Sequence, residues 1–381
     1  MDFDFSDEQK AFAKSVQEFA EKEIAPGSRE REQTAEFPHD IWSKLADFGL
    51  LGLPVPEEYG GGGADAVTTT LANEVFARYC RDFDLMIKWG SHTMICAMPI
   101  AVLGNEDQKR KYLPDLCEGT RIGGFALTEP EAGSDATAMK SKAVRRDGGY
   151  ILNGNKIYIC NAPYGDTFVT FAKTTDEAGN EGISNFIVES EFPGFVRGKP
   201  LEIYSPSVGS DVGEIAFDDC RVPAENLMGE EGQGFAAMLT SLGWERLAFA
   251  GFLGGMASNL DDCIAYAKER HAFGRPISKF QLIQAKLADM AVELEAARLL
   301  TYKLAWMFDT GQVIHLQAAI AKLYTTEAAL RNALEAVQVF GGYGCMTDEF
   351  VGRTLWAAKA SVIGGGTSEI QRIVIARMLL R

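Results

Sequence analysis

The chain has 381 residues, 46% of them hydrophobic and 24% charged, and carries a net charge of −16 at pH 7. That length exceeds what one hydrophobic core usually serves, so two or three packed domains are expected. The acidic balance excludes nucleic acid or an anionic membrane surface as the main partner, while leaving room for a local basic pocket around a phosphorylated ligand.

In chain order, the first third reads as helix. Ser6 and Gln9 have the spacing of a capping box, and Phe12, Val16, Phe19 and Ile24 share one face before Pro26 stops the pattern. Further helices are predicted over 40–48, 66–79, 85–103 and 106–116. Tyr59 to Gly63 looks like a phosphate loop, but neither a preceding strand nor a following Gly-Lys-Ser/Thr supports that, and it reads as a plain turn. From about Ile122 to Val222 the pattern changes to short alternating runs: 141–146, 150–152, 156–160, 167–173, 185–189 and 214–218. Gly and Asn turn signals separate them, including Asn153-Gly154, and the spacing suggests a small antiparallel barrel or sandwich. After Gly234 amphipathic helices return, with Ile283, Leu287, Met290 and Leu294 in a bundle stripe, and others over 314–339 and from Ser368 onward.

Seven cysteines (Cys80, Cys96, Cys117, Cys160, Cys220, Cys263, Cys345) form no Cys-x-x-Cys pair, and none of the four histidines stands four residues from another. A zinc site or disulfide framework is therefore not expected, and the thiols suit a reducing cytoplasm. The acidic start, Met1 to Glu8, lacks an apolar leader pattern, and no run of about 18 apolar residues predicts a membrane span. A cytoplasmic protein is the expectation.

Five blocks carry the chemistry. Phe125-Ala-Leu-Thr-Glu-Pro-Glu-Ala-Gly-Ser-Asp135 is either a tight loop or a loop whose amides and hydroxyls approach an anionic or heteroaromatic ligand. Asn153-Gly-Asn-Lys-Ile-Tyr-Ile-Cys-Asn161 follows, then Arg270-His-Ala-Phe-Gly274, Gln338-Val-Phe-Gly-Gly-Tyr-Gly344 and Gly366-Thr-Ser-Glu-Ile-Gln-Arg372. In this order, on a helix–β–helix background, they resemble the acyl-CoA dehydrogenase family over essentially the whole chain.

That resemblance implies an α+β, mostly α fold: an N-terminal helical domain (1–121), a central β-barrel-like domain (122–230) and a C-terminal four-helix bundle (231–381). It implies FAD, with Phe125, Leu127, Thr128, Gly133, Ser134, Tyr158 and Cys160 against the flavin ring. Thr367 and Glu369 would hold the subunit's own FAD, and the helix start at Thr367-Ser368 suits an anion. Arg270, Phe273, Gln281, Gln338, Gly341 and Gly342 would reach the FAD of a neighbouring subunit in a homotetramer. Arg270 suits a pyrophosphate; without the other blocks the lesser alternative is a surface ion pair with Glu269 or Asp289. An acyl-CoA substrate would meet Ser134, Arg246 and Gly365, and electrons would leave to an electron-transfer flavoprotein.

The reaction of that family removes an α-proton with a carboxylate and a β-hydride with the flavin. In many members the base is a Glu immediately before the Gly-Thr-Ser block; here that position is Gly365. Glu245, in Ser241-Leu-Gly-Trp-Glu-Arg-Leu247, takes its place: it lies on a predicted helix among Leu242, Ala248 and Phe249, where a carboxylate is anomalous unless paired or used. The isovaleryl-CoA and long-chain members have their base at this alternative position. A backbone N–H at Gly365 would still polarise the thioester carbonyl. Gly364 and Gly365 are expected to leave room for branched, cyclic or long acyl groups.

Other departures are Cys160, where a Thr is usual, and Trp356-Ala357, where an Arg-Asp ion pair is usual. His92 reads as a core histidine or a substrate contact. Three other chemistries stay open on the same fold: an oxidase passing electrons to O₂, a 2-enoyl-CoA reductase, and a non-catalytic FAD- or CoA-binding protein.

Overall fold

The computed structural model describes residues 4–34, 36–175, 182–203 and 212–380. The N-terminal helices are α1 (Asp7–Phe19), α2 (Ser28–Thr34), α3 (His39–Asp47), α4 (Ala66–Tyr79), α5 (Phe83–His92), α6 (Met98–Leu103) and α7 (Glu106–Cys117). The capping box is made: Ser6 Oγ accepts the Gln9 N–H at 3.1 Å and Gln9 Oε1 accepts the Ser6 N–H at 3.0 Å. The apolar face of α1 continues through a π-turn at Ala20–Ile24, and Val16, Ala20 and Ile24 are buried with Leu45, Leu50, Phe76 and Trp89. Gly60 takes a left-handed turn after Tyr59, as a plain turn should.

A second π-turn, Thr93–Ala97, joins α5 to α6 in one helical run. Although Asp84, Lys88 and His92 interrupt it, Phe83–Leu103 is long and apolar enough to cross a membrane by length and composition alone. However, 78% of its apolar window is buried inside the protein, and the buried side chains include Asp84, Lys88 and His92. That is the pattern of a core helix.

The central strands are β1 (Gly123–Ala126), β2 (Lys142–Arg146), β3 (Gly149–Ile159), β4 (Thr167–Lys173), β5 (Ile183–Glu189), β6 (Phe195–Pro200), β7 (Gly213–Pro223) and β8 (Leu227–Met228). They form a mostly antiparallel sheet in the order β6-β7-β3-β2-β4-β5-β8, with β1 added parallel to β4. The two runs expected at 150–152 and 156–160 are one strand. Asn153-Gly154 is a bulge in it, marked by a register shift against β7. Gly154 sits so close to Ser141, the residue before β2, that a Cβ there would lie 2.1 Å from Ser141 Oγ. Turn chemistry and bulge chemistry draw on the same residues, and here the ladder continues through.

The C-terminal helices are α8 (Gly234–Ala248), α9 (Gly251–Glu269), α10 (Gln281–Asp309), α11 (His315–Phe340), α12 (Phe350–Ser361) and α13 (Ser368–Leu379), with a small hairpin of β9 (His271–Ala272) and β10 (Arg275–Pro276) after α9. The buried face of α11 is largely alanine, which lets α9 and α10 approach closely. The bundle is joined to the N-terminal helices through α4: a Cβ at Gly254 would lie 2.2 Å from Glu74 O, and Glu74 accepts from Arg298 Nε at 2.7 Å and Tyr302 Oη at 2.9 Å. Ala357 is fully buried in a cluster with Phe83, Phe252 and Phe350, so apolar packing occupies the place of the missing ion pair.

Candidate active site

Helix α8 starts against the sheet, where Asn185 Nδ2 donates to Gly234 O at 3.0 Å. Trp244 and Leu247 face the core. The adjacent Glu245 turns to the other side and keeps 22% of its side chain exposed. Its Oε2 lies 3.1 Å from Arg246 Nη1. That nitrogen is buried yet makes no hydrogen bond of good geometry. Ala248 and Phe249 are half-buried beside the carboxylate; the Leu242 side chain lies outside the described residues.

The loop between α12 and α13 closes on the same space. A Cβ built on Gly365 would stand 3.1 Å from Glu245 Oε1 and 2.8 Å from Phe249 Cζ. The position where a carboxylate is missing and the residue expected to replace it thus meet, although 120 positions separate them in the chain. Gly365 and Gly366 have φ of 62° and 82°, values that favour glycine. The same contacts correct one expectation: Phe249 and Glu245 already fill the volume that a side chain at 365 would take, so any extra room comes from Gly364, whose nearest neighbour to a built Cβ is Ala360 O at 3.6 Å. Thr367 caps α13 with its own hydroxyl, accepting from Ile370 N at 3.3 Å, and Glu369 is exposed in the first turn.

The first two sequence blocks are brought together by a buried ion pair that the sequence reading missed. Lys156, with no exposed surface, donates to Glu129 Oε1 at 2.8 Å and Leu127 O at 3.0 Å. Glu129 also accepts the backbone N–H groups of Lys140 at 2.5 Å and Ser141 at 3.0 Å. A carboxylate and an ammonium inside two such blocks were the available signal. Together with the bond from Ile157 N to Thr128 O at 3.0 Å, they set half-buried Phe125, Leu127 and Thr128 next to Tyr158 and Cys160. Tyr158 is 66% exposed, with φ of 59°. Gly133 and Ser134 lie exposed farther along the loop.

Cys160 is half-buried, and burial pushes its thiol up from the ordinary value while the Ser91 hydroxyl hydrogen-bonds it. Were a flavin nitrogen to face this residue, the hydrogen gained on reduction would be accepted better by a hydroxyl than by sulfur. Cys160→Thr is therefore expected to raise the midpoint potential by roughly 20 mV, from about 1 kcal/mol in a two-electron couple. An unchanged potential in a spectroelectrochemical titration would mean that the thiol does not face the ring.

His92 is a core histidine. Its Nδ1 accepts the Gly123 N–H at 2.9 Å, its Nε2 donates to Leu116 O at 2.9 Å, and the Trp42 ring packs edge-on at 5.0 Å.

The remaining predicted residues gather elsewhere. Arg270 lies over the Tyr343 ring at 5.8 Å. With Gly341, Gly342, Tyr266 and Phe340 it lines a surface groove of about 600 Å³. Gln281 and Gln338 are exposed nearby in the chain, on α10 and α11. Phe273, at the tip of the β9–β10 hairpin, is 95% exposed. An aromatic side chain this exposed suits contact with another chain. Among the described residues no cluster of His, Cys, Asp or Glu could hold a metal ion.

The orphaned Arg246 nitrogen, the partly open wall at Leu127, Thr128, Tyr158 and Cys160, and the glycine loop fit a bound heteroaromatic cofactor. Three family models match the chain: the acyl-CoA dehydrogenase N-terminal domain over residues 6–120, the middle domain over 124–220 and the C-terminal domain over 232–380. The chain is 44% identical to an acyl-CoA dehydrogenase of Bacillus subtilis, covering 98% of both chains. It is 40% identical, over the full length of both, to an L-prolyl-[peptidyl-carrier protein] dehydrogenase of Pseudomonas fluorescens. A solved structure of PigA in complex with FAD superposes with a TM-score of 0.95 at 35% identity, covering 100% of this chain and 99% of that one. The chain belongs to the acyl-CoA dehydrogenase family, and the protein is an FAD-dependent oxidoreductase.

Proposed function

We propose that the protein dehydrogenates an acyl-CoA thioester to the 2-enoyl-CoA, with Glu245 as the base. The observation that carries this reading is the 3.1 Å approach of Glu245 Oε1 to the position a Cβ on Gly365 would take. FAD, when bound, supplies the acceptor for the β-hydride. Glu245 takes the α-proton, the electron pair left on the α-carbon forms the double bond, and the β-hydrogen leaves with its own electron pair as the hydride. The Gly365 N–H polarises the thioester carbonyl, which makes the α-proton more acidic. Arg246 Nη1 lies 3.1 Å from Glu245 Oε2 and fixes the place of the carboxylate.

Two electrons must then leave, and family resemblance supports an electron-transfer flavoprotein as their acceptor. The exposed Phe273 and the groove at Arg270, Gly341 and Gly342, close in sequence to Gln281 and Gln338, support a homotetramer in which each chain contributes to a neighbour's FAD site. All seven cysteines are free thiols, which supports a reducing cytoplasm as the setting.

The test is anaerobic bleaching of the bound flavin by straight, branched and cyclic acyl-CoA thioesters. At least one is expected to reduce the flavin within the assay, and failure of every thioester would defeat the reading. A second reading, oxidation of an aminoacyl group on a carrier protein, is favoured by the prolyl-specific relative. A prolyl thioester on a carrier protein belongs in the same panel. Rapid reoxidation of the reduced protein by air would point to an oxidase, and rapid reoxidation by a 2-enoyl-CoA to a reductase.

A further inference from the structure

Lys322 on α11 is 1% exposed. Burying an ammonium is costly unless its charge and donors are used. Its Nζ donates to Gly366 O at 2.9 Å and lies 5.2 Å from the centre of the Phe249 ring. Gln371, 2% exposed on α13, donates Nε2 to Gly365 O at 3.3 Å and to Gly366 O at 3.1 Å. Both carbonyls of the glycine loop are therefore held from the protein side. Among the described residues no protein group accepts the N–H of Gly365 or of Gly366. The tied oxygens belong to the two peptide groups that follow Gly365, which carry the Gly366 and Thr367 N–H; fixing those planes fixes the chain on the C-terminal side of the Gly365 Cα, and with it the direction of the Gly365 N–H beside the Glu245 carboxylate.

We propose that Lys322 and Gln371 are positioning residues: by holding the two peptide planes that follow Gly365, they aim the Gly365 N–H at the substrate's thioester oxygen. This rests on the dehydrogenase reading above and adds to it the source of the donors' alignment. Neither side chain touches the reacting atoms; each acts through a backbone carbonyl. The loop needs such support because two successive residues with positive φ have no regular structure of their own to hold them. The ammonium keeps its proton at neutral pH although burial, with Arg246 adding, pulls its pKa down to about 8; Glu245, Glu327 and Glu369 pull the other way. A donor set left about 1 Å out of place costs on the order of 10² in rate.

The experiment compares FAD-loaded wild type, Lys322→Met, Lys322→Arg and Gln371→Met. Each is read by flavin reduction with the best thioester of the panel, by that thioester's dissociation constant, and by amide hydrogen exchange over residues 360–371. Lys322→Met is expected to slow reduction by about 10²-fold while thioester affinity changes by less than about threefold. Lys322→Arg, which keeps a charged donor, is expected to recover at least about tenfold of that loss. Exchange should rise at least about tenfold in both Met variants. Gln371→Met carries the test if Lys322→Met does not fold. Unchanged exchange in the Met variants would overturn the proposal, as would a rate loss matched by an equal loss of affinity. If no thioester reduces even the wild type, the dehydrogenase reading fails by itself, and the exchange arm still shows whether these side chains hold the loop.

Discussion

Glu245→Gln is expected to lower the rate of flavin reduction by about 10² to 10⁴, the range a positioned general base contributes. The substitution keeps the shape of the side chain and its contact with Arg246 while removing the site that accepts the α-proton. Acyl-CoA binding should survive, because the carbonyl donors sit on the glycine loop and not on α8. Stopped-flow reduction under anaerobic conditions, with the dissociation constant measured in parallel, separates the two. If Glu245→Gln bleaches its flavin at the wild-type rate, another group takes the proton and the assignment is wrong. Returning a carboxylate to the usual position, as Gly365→Glu in that background, would appear to be a natural rescue from the sequence alone. The structure argues against it: φ at Gly365 is 62° and a Cβ would press on Phe249 at 2.8 Å. That double variant is expected to stay inactive unless Phe249 is also made smaller.

Much of this was legible before any coordinates. The Ser6–Gln9 cap, the amphipathic face of α1 and the stripe on α10 are local patterns, and local patterns are written in neighbouring residues. The meeting of Glu245 with Gly365 was legible too, but only as a coincidence of a loss and a gain, because no spacing rule links positions so far apart. What escaped was non-local. Strand β1 is four residues with two glycines, paired parallel to β4, and β6 is an exposed strand paired only with β7 among the described residues. Neither carries an alternation long enough to announce itself. For Lys156 the charges of Glu129 and Lys156 inside two blocks were a signal that went unread, whereas nothing in α11 reveals that Gly366 O will cover Lys322. The overestimate of space at Gly365 has the same origin: a missing side chain is visible in a sequence, whereas the ring that fills its place is not.

The second large effect is expected in acid. His92 is fully buried, and burial pulls its pKa down to about 4 from 6.5. Between those values the unfolded chain takes up a proton that the folded protein refuses, so stability rises with pH across the window. The contribution is complete above about pH 6.5 and is lost as pH falls toward 4, by roughly 3 kcal/mol in all. The geometry shows why the ring stays neutral: Nδ1 must accept from Gly123 N–H, and a proton there would face a donor with no partner. Since this bond ties α5 to β1, acid is expected to loosen the N-terminal helices from the sheet. Gln can supply one acceptor and one donor in the same place without titrating, so His92→Gln isolates the effect. It should be less stable than wild type at pH 7 by about 1 to 2 kcal/mol through imperfect packing. Its further loss between pH 7 and pH 4.5 should be smaller than the wild type's by about 2 to 3 kcal/mol. Other acid-sensitive groups, such as Glu32 with its pKa pushed up to about 7 by burial, are common to both proteins and cancel in the comparison. Denaturant unfolding at fixed excess FAD keeps cofactor loss from entering the difference. Parallel pH profiles for the two proteins would show that His92 is not the residue through which acid acts.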